Sequence, residues 1–405
     1  MLNTYLKQCQ TTNGALVALG IVGAVLGVIA WPALAATGST APMNWGGMTM
    51  ELLGGLALFL YGMTQMEVGL KAVAGERMKS ILAKLTVNRF AGVGTGAVVT
   101  AVIQSSSVTT VLLVGFISAG LMSLPQSVGV IIGAKIGTTI TGQIVAFKIT
   151  KAALAMVAGG FGMLFLSKNE KIKAYGGMLM GLGLVFFGMH VMGEAMHPLR
   201  SYQPFLDLMQ TMTNPLLAVL VSAVFTGIIQ SSSATTAIII VMASQGFISL
   251  DAGVPLVMGA NIGTCVTALL AAIGKPREAV RCAVVHTGLA CTGVLMWLPF
   301  VSVIRSAAVA MSPVYPELSG MDLLAAETPR QIANAHTFFN IANGCIFIWF
   351  TTYIARAAEW LVPDKPLEED AMIVRTKFLQ EELLTTPTLA LDSVRMEVMH
   401  MGETV

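Results

Sequence analysis

Two polar septets interrupt a chain whose other segments are largely apolar. Residues 104–110 read Gln-Ser-Ser-Ser-Val-Thr-Thr, and residues 230–236 read Gln-Ser-Ser-Ser-Ala-Thr-Thr. Each septet supplies one amide side chain and a run of hydroxyl groups, which can together contact an anion that has several acceptor oxygens. Neither septet contains Lys or Arg, so permanent tight capture of an anion is not expected. A tetrahedral oxyanion held from both septets, with phosphate as the best fit, is the binding chemistry that these residues predict.

The two septets belong to an internal duplication with a constant offset of 126 residues. The same offset relates Gly-Ala-Lys-Ile-Gly-Thr-Thr at 133–139 to Gly-Ala-Asn-Ile-Gly-Thr-Cys at 259–265. Self-similarity at one offset indicates that both halves share a structural plan. A chance cluster of Ser and Thr, which often only bond their own helix backbone, does not explain two matched sets.

The composition is typical of a membrane protein. Hydrophobic residues make up 55% of the 405 residues, and charged residues make up 11%, against roughly 25% in ordinary soluble domains. The net charge of +2 gives no basic field for nucleic acid. The expected membrane helices lie at about 14–36, 48–70, 125–147, 151–167, 175–196, 252–273, 282–304 and 331–357.

The segments that contain the septets predict re-entrant hairpins. Residues 90–121 and 214–247 are apolar but broken at their polar tips, and each arm is shorter than the ~20 residues that a spanning helix needs. If both hairpins re-enter, equivalent points in the halves are three crossings apart and the second repeat is inverted; parallel halves are the alternative. The distribution of Lys and Arg among the loops agrees with inversion and with a cytoplasmic C-terminus.

We therefore expect an all-α polytopic membrane protein with two inverted repeats, each containing a re-entrant helical hairpin and a discontinuous helix. Backbone groups at a broken tip need protein, water or ligand as partners, and the serines are placed to cap the next half-helix. The predicted phosphate-binding residues are Gln104, Ser105, Ser106, Ser107, Gln230, Ser231, Ser232 and Ser233.

Sodium ions are the expected partners of a buried phosphate, because its charge is costly to bring into an apolar medium. The paired glycines predict unwound turns at 133–138 and 259–264, where oxygen atoms would be exposed to a hard cation. The predicted sodium ligands are Thr109, Thr110, Thr138, Thr139, Thr235, Thr236, Asn261 and Thr264. No other cofactor is expected.

Over residues 48–357, the paired Gln-Ser-Ser-Ser motifs and the Gly-x-x-Ile-Gly-Thr segments resemble the type II sodium-dependent phosphate cotransporter family, which includes bacterial sodium/phosphate symporters. The resemblance implies sodium-coupled symport of inorganic phosphate into the cell by alternating access, and no enzymatic activity. It also implies that both septets hold phosphate and sodium. A cell-membrane location, specifically the bacterial inner membrane, follows from it.

Lys135 departs from that resemblance, because members of the family often carry a neutral or acidic residue at this position of the first repeat; its equivalent in the second repeat is Asn261. Its ammonium group would provide fixed charge compensation in place of one sodium ion. The alternative is a lysine whose side chain extends towards an aqueous crevice. Other ionisable groups, including His190, His286 and His336, have no counterpart at the constant offset, and most are expected to be packing or interfacial residues.

The predicted boundaries are 1–47 for an N-terminal anchor or signal-like helix with its loop, 48–173 for the first repeat, 174–330 for the second repeat and an extracytoplasmic loop, 331–357 for the last transmembrane helix, and 358–405 for a cytoplasmic tail that resembles the start of a PhoU-like domain. Both a cleaved signal and a retained anchor, and both a truncated domain and a linker, stay open. A homodimer is one assembly that the sequence allows. The rival functions are a proton-coupled or other-oxyanion carrier and a membrane phosphate sensor.

Overall fold

The chain is almost entirely helical. The computed structural model describes residues 44–74, 88–118, 121–147, 149–363 and 387–403, and no strand occurs among them. Within these ranges, six helical segments are long and apolar enough to cross a membrane. The prediction of an all-α polytopic membrane protein is therefore confirmed. The expected helix at 14–36 and residues 364–386 of the predicted cytoplasmic tail lie outside the described residues.

The helices are labelled in chain order. They are α1 (Trp45–Ala74), α2 (Arg89–Ile103), α3 (Ser106–Ser118), α4 (Leu124–Val145), α5 (Ala153–Leu166), α6 (Glu170–Met196), α7 (Gln203–Thr211), α8 (Pro215–Ile229), α9 (Ser232–Ser244), α10 (Leu250–Gly263), α11 (Cys265–Ala272), α12 (Arg277–Trp297), α13 (Val301–Ala310), α14 (Gly320–Phe347), α15 (Thr351–Leu361) and α16 (Pro387–Glu403). The chain divides into two compact units after Val362, and α16 is the described helix of the second unit.

Each polar septet lies at the turn of a helical hairpin. Hairpin 1 consists of α2 and α3, hairpin 2 consists of α8 and α9, and in both the arms have 15 and 13 residues. The first arm ends in a left-handed residue, Gln104 in hairpin 1 and Gln230 in hairpin 2, each with φ of 59°. Among the described residues these are the two non-glycine residues with positive φ. The predicted breaks therefore occur where the polar motifs begin.

Equivalent helices of the two halves, α1 and α6, pack side by side in opposite directions. A Cβ atom on Gly62 would lie 2.6 Å from the carbonyl oxygen of Gly181, and one on Gly188 would lie 2.6 Å from that of Gly55. At the offset of 126, Gly62 is equivalent to Gly188 and Gly55 is equivalent to Gly181. The two contacts are therefore equivalent to each other, as an approximate two-fold axis between the halves requires. Glycine permits this approach because it leaves backbone against backbone with no side chain between.

The first arm of each hairpin packs closely against the long helix that follows it. A Cβ atom on Gly133 of α4 would lie 2.0 Å from the carbonyl oxygen of Val93, and one on Gly259 of α10 would lie 2.3 Å from that of Val219. The paired glycines of the sequence motif therefore serve close helix packing. Their spacing is the same in both halves because this contact between a hairpin arm and the following helix, here called the hairpin seam, occurs once in each half.

The predicted discontinuity is reduced to a single turn residue in the second half and is absent from the first. Thr264 separates α10 from α11 but keeps right-handed helical dihedral angles, and its backbone N–H donates to the carbonyl oxygen of Ala260, whereas α4 continues unbroken through the matching segment. In α4 the hydroxyls of Thr138 and Thr139 donate to the carbonyl oxygens of Ala134 and Ile136, at 2.9 and 2.8 Å. The prediction that two glycines would unwind α4 was wrong, because the close approach of α2 uses them instead.

The helix observed at one predicted membrane span is too short to cross a bilayer. The segment predicted at 151–167 forms α5, which has 14 residues. At 1.5 Å per residue this is roughly 21 Å, less than the ~30 Å hydrocarbon core of a bilayer. Its outward residues are nevertheless strongly apolar: Leu154, Phe161, Phe165 and Leu166 are exposed in the isolated chain. Such a surface is expected to contact lipid or another apolar partner.

The hairpin seam gives a stability prediction. Gly133→Ala should destabilise the protein by about 1–3 kcal/mol, because the added methyl group would collide with the backbone of α2, which cannot move aside as a flexible side chain can. Gly94→Ala is the matched control, since Gly94 is a helical glycine on α2 whose Cβ would meet nothing within 4 Å. Thermal unfolding of the purified protein in detergent measures both. Equal melting temperatures for the two variants would contradict the packing role.

Candidate functional site

The first serine of each triplet caps the second arm of its hairpin. The hydroxyl oxygen of Ser105 accepts a hydrogen bond from the backbone of Val108, and that of Ser231 accepts one from Ala234, both at 3.3 Å. This is the side-chain interaction that an N-terminal helix cap makes. The helix N-terminus behind each cap carries free amides and a partial positive charge, which favour an anion.

The first threonine of each septet fastens the two arms of its hairpin together. The hydroxyl of Thr109 lies 2.9 Å from that of Thr100, and the hydroxyl of Thr235 lies 2.9 Å from that of Thr226. Thr109 and Thr235 are also almost fully buried. These two residues were predicted as sodium ligands, but their hydroxyls have partners within the hairpins, so the contacts observed are structural.

The second threonine of each septet differs between the halves. The hydroxyl of Thr110 lies 2.9 Å from the carbonyl oxygen of Ser106 and 3.3 Å from Nδ1 of His286. The hydroxyl of Thr236, its equivalent, is buried and has no hydrogen-bond partner. Nδ1 of His336 is also buried and without a partner. At equivalent positions of the two halves, the hydroxyl of Thr110 therefore has hydrogen-bond partners and the hydroxyl of Thr236 has none.

Three consecutive residues of α4 join both hairpins to α14. Thr141 donates a hydrogen bond of 2.6 Å to the side-chain oxygen of Gln104, at the tip of hairpin 1. A Cβ atom on Gly142 would lie 3.5 Å from Cγ2 of Thr236 and 3.7 Å from Nδ1 of His336. Two adjacent residues of α4 therefore lie beside different hairpins: Thr141 beside the tip of hairpin 1, and Gly142 beside the first turn of α9 in hairpin 2.

The third residue of this junction extends the polar contacts into α14. The side-chain amide of Gln143 donates to Asn334 at 3.1 Å and to Thr337 at 2.9 Å. Thr141 and Gln143 lie outside the sequence motifs and were not among the predicted site residues. The signal that marks them is their polarity inside a membrane helix, where such residues commonly have a functional partner.

Lys135 and Asn261, equivalent residues of the two halves, line the same small cavity. Asn340 and Asn343 of α14 also line it, and its volume is about 10 Å³, close to the space that one water molecule needs. No carboxylate lines this cavity. Lys135 is near enough to His286 and His336 to interact electrostatically with both.

The remaining predicted sodium ligands have partners in their own helices. The hydroxyl of Thr264 donates to the carbonyl oxygen of Ala260 at 2.8 Å, as its equivalent Thr138 does to Ala134. The side-chain amide of Asn261 donates to Val257 at 3.4 Å, and its side chain also lines the cavity described above. Of the eight predicted ligands, Thr236 is the one whose buried hydroxyl lacks a partner.

A second and larger cavity lies at the C-terminal end of α4. Its volume is about 210 Å³, and its lining includes Phe147, His190, Glu194, Gln245 and Pro329. It therefore brings together the end of α4, the exposed face of α6, the end of hairpin 2 and the start of α14. The Gln143 contacts lie between this cavity and His336 along α4 and α14.

The chain resembles proteins of one transport family. The family model described as Na+/Pi-cotransporter matches residues 58–194 and 201–321, which is well over half of the chain. Both septets, Lys135 and Asn261 fall inside the matched segments. His336 follows them.

Three curated proteins illustrate the similarity. The "Uncharacterized protein YqeW" of Bacillus subtilis is 28% identical over 311 residues, 76% of this chain and 97% of that protein. The "Putative inorganic phosphate export protein YjbB" of Salmonella typhimurium is 26% identical over 355 residues, 87% of this chain and 63% of that protein. The "Sodium-dependent phosphate transport protein 2C" of Rattus norvegicus is 44% identical over 85 residues, 20% of this chain and 14% of that protein.

The extent of these matches differs. The chain spans less than two thirds of the length of the Salmonella protein and nearly all of the Bacillus protein. No solved structure matches the chain.

The two left-handed glutamines give a prediction that separates backbone conformation from side-chain contacts. A left-handed residue other than glycine costs about 1–2 kcal/mol. Gln230 is exposed, so Gln230→Gly should be more stable than Gln230→Ala by about 1 kcal/mol. Gln104 is buried and bonded to Thr141 and Ala101, so Gln104→Gly should lose about 1–3 kcal/mol through those bonds.

Melting temperatures of Gln230→Gly, Gln230→Ala and Gln104→Gly in detergent test this prediction. If Gln230→Gly lowered the melting temperature as much as Gln104→Gly does, the side chains of the two glutamines would contribute equally to stability, which would contradict the prediction.

Proposed function

The chain belongs to the Na+/Pi-cotransporter family, and we propose that it couples the movement of inorganic phosphate across a membrane to sodium ions. The observation that carries the proposal is the junction of two serine-capped helix ends, both reached from Thr141 and Gly142 of α4. Capped helix N-termini offer amides and hydroxyls to an anion, and an apolar bundle excludes competing water. Two equal tips also suit binding better than a single reactive centre.

Alternating access through inverted repeats is the mechanism that fits this arrangement. The antiparallel packing of α1 against α6 supports an axis lying in the membrane plane. The arms of both hairpins, with 15 and 13 residues, span roughly 20–23 Å, which supports re-entrance rather than crossing. The cavity of about 210 Å³ at the end of α4 would be the vestibule through which phosphate reaches the junction.

The direction of flux that we propose is uptake into the cell, across a bacterial inner membrane with the C-terminus in the cytoplasm. An inward sodium gradient would drive phosphate inward through any carrier that moves both together. Export is the second candidate, because the printed name of the YjbB relative refers to phosphate export. Phosphate would be held by the Gln and Ser residues of both tips.

Sodium ions would balance the charge of the bound phosphate. A dianion cannot enter an apolar bundle without compensation, since burying an unpaired charge costs several kcal/mol or more. Oxygen atoms near the junction that can contribute are the hydroxyls of Thr110 and Thr236 and the side-chain oxygen of Asn261. Asn261 lies three residues before Thr264, the turn residue between α10 and α11.

Lys135 would supply one of the positive charges. It lies about midway along α4, roughly 16 Å from either end, whereas a lysine side chain extends only roughly 6 Å. It therefore cannot reach the ends of its own helix. None of the ion pairs formed among the described residues includes Lys135. Phosphate is the anion that would pair with it, and its equivalent Asn261 would bind a sodium ion instead.

Transport in proteoliposomes tests the proposed function directly. The full chain is reconstituted, and uptake of radiolabelled phosphate is followed under an inward gradient of sodium, and separately of potassium or protons. We expect accumulation above the equilibrium level with sodium alone. Accumulation with protons alone would replace the coupling ion, and no phosphate flux under any gradient would contradict the function. In whole cells, net accumulation supports uptake, whereas faster loss from preloaded cells supports export.

Lys135→Asn tests charge compensation. This substitution makes the first half match the second, and we expect it to add one sodium ion and one positive charge to each transport cycle. The Hill coefficient for sodium should rise, and reversal-potential measurements should give the extra charge. Lys135→Met is the control, because it removes the ammonium group without adding a cation ligand. It should lower the rate of phosphate transport without increasing the number of sodium ions moved in each cycle. Unchanged stoichiometry in Lys135→Asn would contradict the role.

A further inference from the structure

Two buried polar atoms beside the junction lack hydrogen-bond partners. They are the hydroxyl oxygen of Thr236 and Nδ1 of His336, on residues that are each 2% exposed. An unsatisfied polar group in an apolar interior is costly, about 1–3 kcal/mol for each. Native structures retain such groups mainly where a ligand, an ion or water satisfies them.

The two residues flank the space that the missing side chain of Gly142 leaves. A methyl group on Gly142 would lie at ordinary van der Waals distances from both, 3.5 Å from the methyl carbon Cγ2 of Thr236 and 3.7 Å from Nδ1 of His336. The absent side chain of Gly142 therefore leaves space between them. Thr141, the preceding residue, contacts the tip of hairpin 1 through Gln104, so this gap adjoins the proposed phosphate site.

In the first half, the hydroxyl equivalent to that of Thr236 has hydrogen-bond partners. Thr110 has two partners there, the carbonyl oxygen of Ser106 and Nδ1 of His286. Each tip threonine thus has a histidine nearby, but only the pair in the second half is unsatisfied. A site with this asymmetry can distinguish one oxygen of a bound tetrahedral anion from the others.

We propose that Nδ1 of His336 accepts a hydrogen bond from the P–OH group of phosphate while the hydroxyl of Thr236 donates to one of its unprotonated oxygens. The proposal rests on phosphate being the transported anion and adds the residue that selects it. An imidazole whose ring proton is on Nε2 presents a lone pair at Nδ1 and acts there as an acceptor. That acceptor recognises a hydroxyl hydrogen and repels an oxygen that has none.

This chemistry separates anions of the same shape. Near neutral pH, phosphate and arsenate retain at least one hydroxyl hydrogen, whereas sulfate and the monofluorophosphate dianion have none. Monofluorophosphate also matches hydrogen phosphate in charge, so a preference between them cannot come from Lys135 or from sodium. A site that donates hydrogen bonds only would accept all four anions.

Competition against radiolabelled phosphate uptake tests the inference on the full chain in proteoliposomes. In the unaltered protein, arsenate should compete well, whereas sulfate and monofluorophosphate should each require at least about tenfold higher concentrations. Equal competition by monofluorophosphate would overturn the selectivity even if sodium-driven phosphate uptake is observed. Absence of phosphate uptake under every gradient would instead overturn the proposed function, so the two failures are distinguishable.

Two substitutions at His336 locate the acceptor atom. His336→Asn can place its side-chain oxygen near the position of Nδ1 and should retain the preference for phosphate. His336→Gln places its oxygen near the position of Nε2 and should lower the preference over monofluorophosphate by at least about fivefold. The preference is a ratio measured within each variant, so a lower amount of folded protein does not affect it. Equal preferences in the two variants would contradict the assignment to Nδ1.

Gly142→Ala offers a test that does not depend on removing a polar group. The methyl group fills the gap without a steric clash and replaces a helical glycine, so the melting temperature should not fall. The Michaelis constant for phosphate should rise by about fivefold or more. Gly94→Ala, at a helical glycine whose Cβ would meet nothing within 4 Å, is the matched control and should leave the Michaelis constant unchanged. An unchanged Michaelis constant in Gly142→Ala would show that phosphate does not approach Nδ1 of His336 past Gly142.

Discussion

The need to satisfy polar groups inside an apolar bundle determines the rest of this structure. A hairpin that turns within such a bundle must end one helix and begin another where water is scarce. The chain meets this requirement in the same way twice: a left-handed glutamine ends the first arm, and a serine caps the second. The amides that remain unpaired at the new helix start are what an oxyanion can use.

Close packing of backbone against backbone holds the two tips in position. Glycines of α4 and α10 allow the first arm of each hairpin to lie directly on the long helix that follows it. Because these contacts involve rigid helices rather than flexible side chains, the position of each tip is well defined relative to the long helix on which its hairpin packs, α4 for hairpin 1 and α10 for hairpin 2. That precision matters for a site in which Thr141 and Gly142, adjacent in the chain, reach different hairpins.

The two halves share a backbone plan but differ in the chemistry of the junction. Lys135 stands opposite Asn261, Thr110 has partners that Thr236 lacks, and Gln104 is buried where Gln230 is exposed. Hydrogen phosphate is itself asymmetric, with one protonated oxygen and three unprotonated ones. A duplicated scaffold with unequal side chains suits such a ligand better than an exactly symmetric site would.

The amino-acid sequence by itself determined the membrane class, the all-helical fold, the duplication and the positions of both hairpin turns. These features depend on composition and on local preferences of Gln, Ser and Gly, which act within a few residues of the chain. It did not determine the role of the paired glycines, which it predicted as breaks in both halves, because close approach by another helix uses the same residue type.

Only the tertiary structure distinguished satisfied hydroxyls from unsatisfied ones. Thr109, Thr138 and Thr235 resemble ligands in the sequence but have partners in the fold, whereas Thr236 and His336, 100 residues apart, are brought together without partners. The physical reason is that a hydrogen bond depends on which atoms come within about 3 Å, and those distances arise from helix packing between distant parts of the chain.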